Sequence, residues 1–162
     1  MLQRGDLAPA FEATDCRGNP VRLKDYLGKK RVVLFFFPRA FTPACTLEVR
    51  NFRDHHEAIT AAGAELIGVS VDRAEKNCKF AEAEGLRFAL IGDESRALSE
   101  QFGVVWPVLR IDRRATFIIG LDGRVEDVFH HEVQVYRHLD DVLARLGAPP
   151  LPPPGPLKPA SP

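Results

Sequence analysis

A proline, a threonine and a cysteine stand at fixed spacing in "PRAFTPAC", residues 38–45, immediately after the apolar run "RVVLFFF". Thr42 is a residue type that starts helices, and Pro43 suits the first helical position. Cys45 then falls third in the helix, with its sulfur among backbone N–H groups that have no partner within the helix. These groups form the positive end of the helix dipole. An anionic sulfur gains far more from that setting than a neutral thiol does, so the expected chemistry is nucleophilic attack by a thiolate. The order T-x-x-C also mimics the capping box T-x-x-E, with sulfur in place of the carboxylate. An inert packing cysteine requires none of these surroundings.

The remaining candidate ligands and nucleophiles are few. Cys16, Cys45 and Cys78 are an odd, sparse set and make a poor disulfide framework; in a reducing compartment all three are expected to be free at rest. Cys16, in the turn "TDCRGN", reads as an exposed incidental thiol. No C-x-x-C pair is present. His55 and His56 are neighbours on an expected helix and do not share a face, and His130 and His131 follow a strand and point to opposite sides. No metal is expected on that spacing.

The elements that must position Cys45 can be read from periodicity. "RVVLFFF" (31–37) and "AELIGVSV" (64–71) are continuous apolar runs, as in strands covered on both faces. "ATFIIG" (115–120) and "RVEDVF" (124–129) flank Asp122-Gly123, a hairpin signal. A helix over 43–61 is expected, with Cys45, Val49, Phe52, His56 and Ile59 turned inward and His56 only semi-buried. Further helices are expected over 73–84, with Ala74, Cys78 and Ala81 inward, and over 95–102, ending at Gly103. A last one over 134–146 carries Val135, Leu139, Val142 and Leu146 and stops at Gly147. The order implies an α/β fold whose sheet is parallel at its centre and antiparallel at its edge.

Residues 1–147 form the expected domain, and 148–162 a Pro-rich tail. From Gly147 onward lie eight of the thirteen prolines. The tail's P-x-x-P spacings could meet a polyproline-reading domain. Its composition favours an extension that buries too little surface to order itself. Hydrophobic residues make up 45% and charged residues 27%, with formal net charge zero, which gives no electrostatic case for nucleic acid or an anionic membrane. No apolar run reaches the ~18 residues of a membrane span, and "MLQRGDLAPAF" has no signal-peptide core. A soluble, cytoplasmic protein is expected.

With Glu48 three residues beyond the cysteine, "PRAFTPAC" resembles the P-x-x-x-T-x-x-C motif of the peroxiredoxins of the AhpC/TSA family. "GDLAPAFEATDCRGNPVRL" (5–23) is similar to that family's N-terminal hairpin, and "RATFIIGLDG" to its arginine-bearing strand and turn. The likeness runs to Leu146 and is greatest toward the Q-type branch, the bacterioferritin comigratory proteins. It implies a thioredoxin-like fold, a central mixed β-sheet flanked by helices with an N-terminal β-hairpin. It also implies thiol-dependent reduction of hydrogen peroxide and organic hydroperoxides through a sulfenic acid at Cys45, in antioxidant defence and with no cofactor.

The resemblance carries roles to five residues. Cys45 is the attacking sulfur, and Thr42 presents its hydroxyl to the thiolate and the peroxide. Pro38 shields the thiolate from water, Arg114 stabilises the anion and orients the peroxide, and Glu48 positions that arginine. Of the two arginines in "DRRATF", strand alternation allows only one into the pocket. The family pattern R-x-T/S-F selects Arg114 and leaves Arg113 solvated. Arg39 reads as rim charge and Trp106 as a packing residue.

The implied partners are a hydroperoxide and a thiol reductant such as thioredoxin, glutaredoxin or a small thiol, acting on a monomer or weak homodimer. Two other readings compete. Thiol–disulfide oxidoreductases share the fold but normally need C-x-x-C, and Thr42 stands where their first cysteine would be. A non-enzymatic peroxide sensor or holdase chaperone uses the same scaffold. Recycling stays open. Where many relatives carry a resolving cysteine, five residues after the first, this chain has Arg50. Cys78 is a possible resolving residue, lying one helical turn before the position used by others. The distance limit on disulfides favours an external thiol instead. Deleting residues 148–162 is expected to leave peroxidase activity and melting temperature nearly unchanged; a substantial loss of either contradicts that reading.

Overall fold

The structure is a computed structural model and describes residues 1–130 and 135–147. The tail over 148–162 and His131 lie outside the described residues. In chain order the elements are β1 (Glu12–Thr14), β2 (Pro20–Arg22), a 3₁₀ turn (Leu23–Asp25), β3 (Arg31–Phe36), α1 (Pro43–Asp54) and α2 (His56–Ala61). They continue with β4 (Ala64–Ser70), α3 (Ala74–Glu84), β5 (Ala89–Gly92), α4 (Ala97–Phe102), β6 (Ala115–Ile119), β7 (Val125–His130) and α5 (Val135–Leu146).

β1 and β2 pair as an antiparallel hairpin, and the other five strands form one sheet in the order β5-β4-β3-β6-β7. β4 runs parallel to β3 and to β5, whereas β6 runs antiparallel to β3 and to β7. This mixed sheet with an N-terminal hairpin is the thioredoxin-like arrangement that the resemblance implied.

β3 is apolar without alternation because both its faces are covered. Val33, Phe35 and Phe37 pack with Cys45, Val49, Phe52, Phe80, Leu139 and Val142, beneath α1, α3 and α5. Val32, Leu34 and Phe36 pack on the opposite side with Phe11, Val21, Leu98 and Phe102, against the hairpin and α4. The ring of Phe35 stacks on that of Phe52 with centroids 4.4 Å apart, which fixes α1 to the central strand.

Two expectations need correction, and one strand was not expected. The helix over 43–61 is broken at His55, whose φ of −118° and ψ of 13° leave the helical region. Its Nδ1 lies 2.8 Å from the Asn51 carbonyl that its own backbone N–H also reaches, and a side chain competing within the helical ladder bends it. β5 is absent from the periodicity because four residues are too short to show a period. The inward stripe of α3 is Asn77, Phe80 and Ala81 rather than Ala74, Cys78 and Ala81, and Cys78 lies half-buried on its flank. Asn77 is a polar residue in a core position. It belongs there because its amide donates to the Ile91 carbonyl at 3.1 Å and to Ser70 Oγ at 3.0 Å. His56 is semi-buried as expected, edge-on to Phe88 with centroids 5.5 Å apart.

Candidate active site

β3 delivers the chain to Pro38, and the loop to Thr42 turns it into α1. Thr42 is the N-cap with an extended backbone, Pro43 opens the helix, and Cys45 follows in its first turn. The Thr42 carbonyl accepts the first helical bond, from Thr46 N–H at 2.9 Å. The capping-box analogy does not hold. The Thr42 hydroxyl makes no cap bond and donates instead to the Arg39 carbonyl at 2.7 Å, closing the loop on itself. Arg39 is exposed at the rim, as expected, and Pro38 is half-buried.

Cys45 carries a free thiol and is 1% exposed. Arg114, just before β6, reaches it from the neighbouring strand: Nη2 lies 3.4 Å from Sγ, and Nη1 donates to Glu48 Oε1 at 2.8 Å. Glu48 stands one turn after Cys45 on α1, so a single planar guanidinium bridges the sulfur and the carboxylate. All three groups are buried. Burial pulls the Arg114 pKa down, but the charges of Glu48 and Cys45 outweigh it, and the net shift is upward. The guanidinium therefore stays charged next to the sulfur.

Arg113 faces the other way, and its guanidinium carbon lies 3.7 Å from the centroid of the Trp106 ring. The expectation of a solvated Arg113 is thus corrected to a half-buried cation stacked on an aromatic face. Trp106 is the platform for that stack and is itself only half-buried.

Sequence reasoning missed the support of the loop. Asp72, in the turn between β4 and α3, accepts Ala40 N–H at 2.7 Å and the Ser70 hydroxyl at 2.8 Å, both on Oδ2. Its Oδ1 pairs with Lys76 at 3.1 Å. Phe41 is held at a φ of 67°, costly for a bulky residue, and its ring packs 5.0 Å from that of Phe80 on α3. The only sequence signal was an acidic residue just beyond a strand end. Asp72→Ala frees the Ala40 amide and loosens the loop. The reaction of Cys45 with peroxide, followed by rapid-mixing fluorescence, is expected to slow about tenfold or more, and an unchanged rate would remove Asp72 from the account.

Asp112 leads into the same strand. It is fully buried, accepts the Ser99 hydroxyl at 3.0 Å on Oδ2, and has no partner on Oδ1 among the described residues. Desolvation, opposed by the Ser99 bond, pushes its carboxyl up to about 8. In the unfolded chain it ionises near the ordinary aspartate value of 3.8, so between those two pH values unfolding releases a proton. This contribution to stability is complete below the lower value and is lost as pH rises to the upper one. Asp112→Asn is expected to flatten that slope and to gain at least about 4 °C in melting temperature over the parent between pH 5 and pH 8. Parallel profiles for the two proteins would contradict it.

Cys16 is not an incidental exposed thiol. It is half-buried and joined to Cys78 in a disulfide whose Cα atoms are 5.3 Å apart, 62 residues away in sequence. The hairpin turn is docked to receive it. Asp15 Oδ1 accepts Arg17 and Asn19 N–H at 2.9 and 2.8 Å, and Cys16 N–H donates to the Leu90 carbonyl of β5 at 2.8 Å. Arg50, five residues after Cys45, forms a two-pronged pair with Glu84 at 2.7 and 3.2 Å, tying α1 to the end of α3.

Residues 4–128 match the model of the AhpC/TSA family. The chain belongs to the AhpC/TSA family. Peroxiredoxin Bcp of Escherichia coli K12 is 38% identical over 145 residues, covering 82% of this chain and 92% of that protein. The crystal structure of peroxidoxin BcpB from Mycobacterium tuberculosis superimposes with a TM-score of 0.84 at 37% identity, over 91% of this chain and 97% of that one. Xanthomonas campestris bacterioferritin comigratory protein, described for its alkyl peroxide reduction activity, gives 0.80 at 27% identity, over 90% and 98%. Like its relatives, this family member is a thiol-dependent peroxidase, a peroxiredoxin of the Q type. No helix among the described residues is long and apolar enough to cross a membrane.

Proposed function

We propose that Cys45 is the peroxidatic sulfur of this peroxiredoxin, acting on hydrogen peroxide and organic hydroperoxides in antioxidant defence. The observation that carries the assignment is the Arg114 guanidinium bridging Cys45 Sγ and the Glu48 carboxylate inside the core. The thiolate attacks one peroxide oxygen, and the O–O bond breaks. Cys45 becomes a sulfenic acid, and the other oxygen leaves as hydroxide or alkoxide and takes up a proton. Arg114 stabilises the sulfur anion and the oxygen gaining charge, and Glu48 holds that cation in register. Thr42 turns its hydroxyl from the Arg39 carbonyl toward the arriving peroxide. Pro38 limits water at the sulfur.

Two thiol equivalents then return the sulfenic acid to the thiolate: the first forms a disulfide with loss of water, and the second reduces that disulfide. Thioredoxin, glutaredoxin or a small thiol is the expected external donor, with the chain working in the cytoplasm as a monomer or weak homodimer. A peroxide sensor or holdase on the same scaffold differs in stoichiometry. The enzyme consumes many equivalents of peroxide per chain in excess dithiol, whereas a sensor stops at about one per reactive thiol. A reaction that ends at that stoichiometry, with reductant remaining, would reject the enzymatic reading for Cys45.

A further inference from the structure

We propose that Cys16 and Cys78 form a second redox site that takes the oxidation away from Cys45 and presents it to the external reductant. The proposal rests on Cys45 being the attacking sulfur. At 1% exposure Cys45 is within reach of a small peroxide diffusing into the core, but not of a cysteine on the surface of a protein reductant. Cys16 and Cys78 are only half-buried, on the hairpin turn and the flank of α3.

α3 is also the element that holds the Cys45 loop. Phe80 and Ala81 share a core cluster with Cys45, Phe80 carries the Phe41 ring, and Asp72, just before α3, holds the Ala40 amide. Cys78 sits two residues before Phe80 on this helix. Opening of the first turns of α3 releases the loop and Cys78 together, so one local motion brings the two sulfurs toward each other.

The chemistry balances without another reactant. The Cys78 thiolate attacks the sulfenic sulfur of Cys45, an S–S bond forms, and the hydroxyl leaves with a proton as water. The Cys16 thiolate then attacks Cys78, forming the Cys16–Cys78 bond and releasing Cys45 as thiolate. The sum is a dithiol plus a sulfenic acid giving a disulfide, a thiol and water. An external dithiol reduces the Cys16–Cys78 bond and closes the cycle. The disulfide in the structure is the product of this relay, with its Cα separation of 5.3 Å inside the roughly 4.4–6.8 Å that such a bond requires.

The test is a single turnover of the fully reduced, full-length protein with one equivalent of hydrogen peroxide. Samples are alkylated over time and mapped by non-reducing peptide mass spectrometry. The expected end product is the Cys16–Cys78 disulfide, nearly one per peroxide consumed, with Cys45 recovered as thiol. In Cys16→Ser the Cys45–Cys78 bond accumulates instead. In Cys45→Ser the Cys16–Cys78 bond forms only at the rate of uncatalysed thiol oxidation. A dimedone-trappable sulfenic acid persisting on Cys45 in the parent, with Cys16 and Cys78 still reduced, overturns the relay and leaves the peroxidase assignment standing. Formation of Cys16–Cys78 at equal rates with and without Cys45 also overturns it. Failure of Cys45 to oxidise at all defeats the peroxidase assignment itself. The parent's own time course decides the matter even if a variant fails to fold.

Discussion

The Cys45→Ser protein is expected to fold like the parent and to show no catalytic turnover of peroxide. Serine keeps nearly the same volume in a site that is 1% exposed, and its hydroxyl can accept the Arg114 hydrogen bond that sulfur accepts at 3.4 Å. The alcohol is not ionised at neutral pH and is a far weaker nucleophile than a thiolate. Cys16 and Cys78 remain in this variant, so slow consumption up to one equivalent per chain is compatible with the assignment. Continued turnover in excess dithiol, with native circular dichroism, would refute it.

Arg114→Ala is expected to have the second largest effect, on two observables at once. Removing a donor aimed at developing charge typically costs about 10²–10³ in rate. The same change takes the guanidinium from Glu48, a carboxylate 1% exposed, and breaking a buried pair costs about 3–5 kcal/mol. Arg114→Lys keeps the charge but has no planar fork to reach both Cys45 and Glu48, so it should fall between the two. Arg113→Ala loses the stack on Trp106, worth about 0.5–1 kcal/mol, and should leave the rate near the parent's. Competition kinetics and denaturant unfolding measure both effects. A damaging Arg113→Ala beside a harmless Arg114→Ala would contradict the arrangement of this strand.

What could be read in the sequence was local. Thr42, Pro43 and Cys45 define a helix start within four residues, and that start is where the structure has it. The choice between Arg113 and Arg114 followed from strand alternation plus a family pattern, and only Arg114 reaches the sulfur. The features that were missed join distant segments. Asp72 meets Ala40 across 32 residues and Cys16 meets Cys78 across 62, and neither contact leaves a periodic trace. Cys78 was placed on the inner face of α3 because cysteine is small and apolar. The structure gives that face to Asn77, whose amide finds two buried acceptors that no pattern of hydrophobicity could reveal. The Thr42 hydroxyl was assigned to a cap by residue type, but the loop offered it the Arg39 carbonyl first.

If Arg114 and the start of α1 activate Cys45 for attack, that sulfur outpaces the other two in reacting with peroxide. The second-order rate constant for oxidation of Cys45 by hydrogen peroxide at pH 7 tests it most directly, measured by competition on fully reduced protein, with the direct oxidation of Cys16 and Cys78 in Cys45→Ser as the comparison. A Cys45 that reacts at least about a hundredfold faster than those two thiols is the predicted result. A Cys45 that reacts no faster than they do would contradict the account.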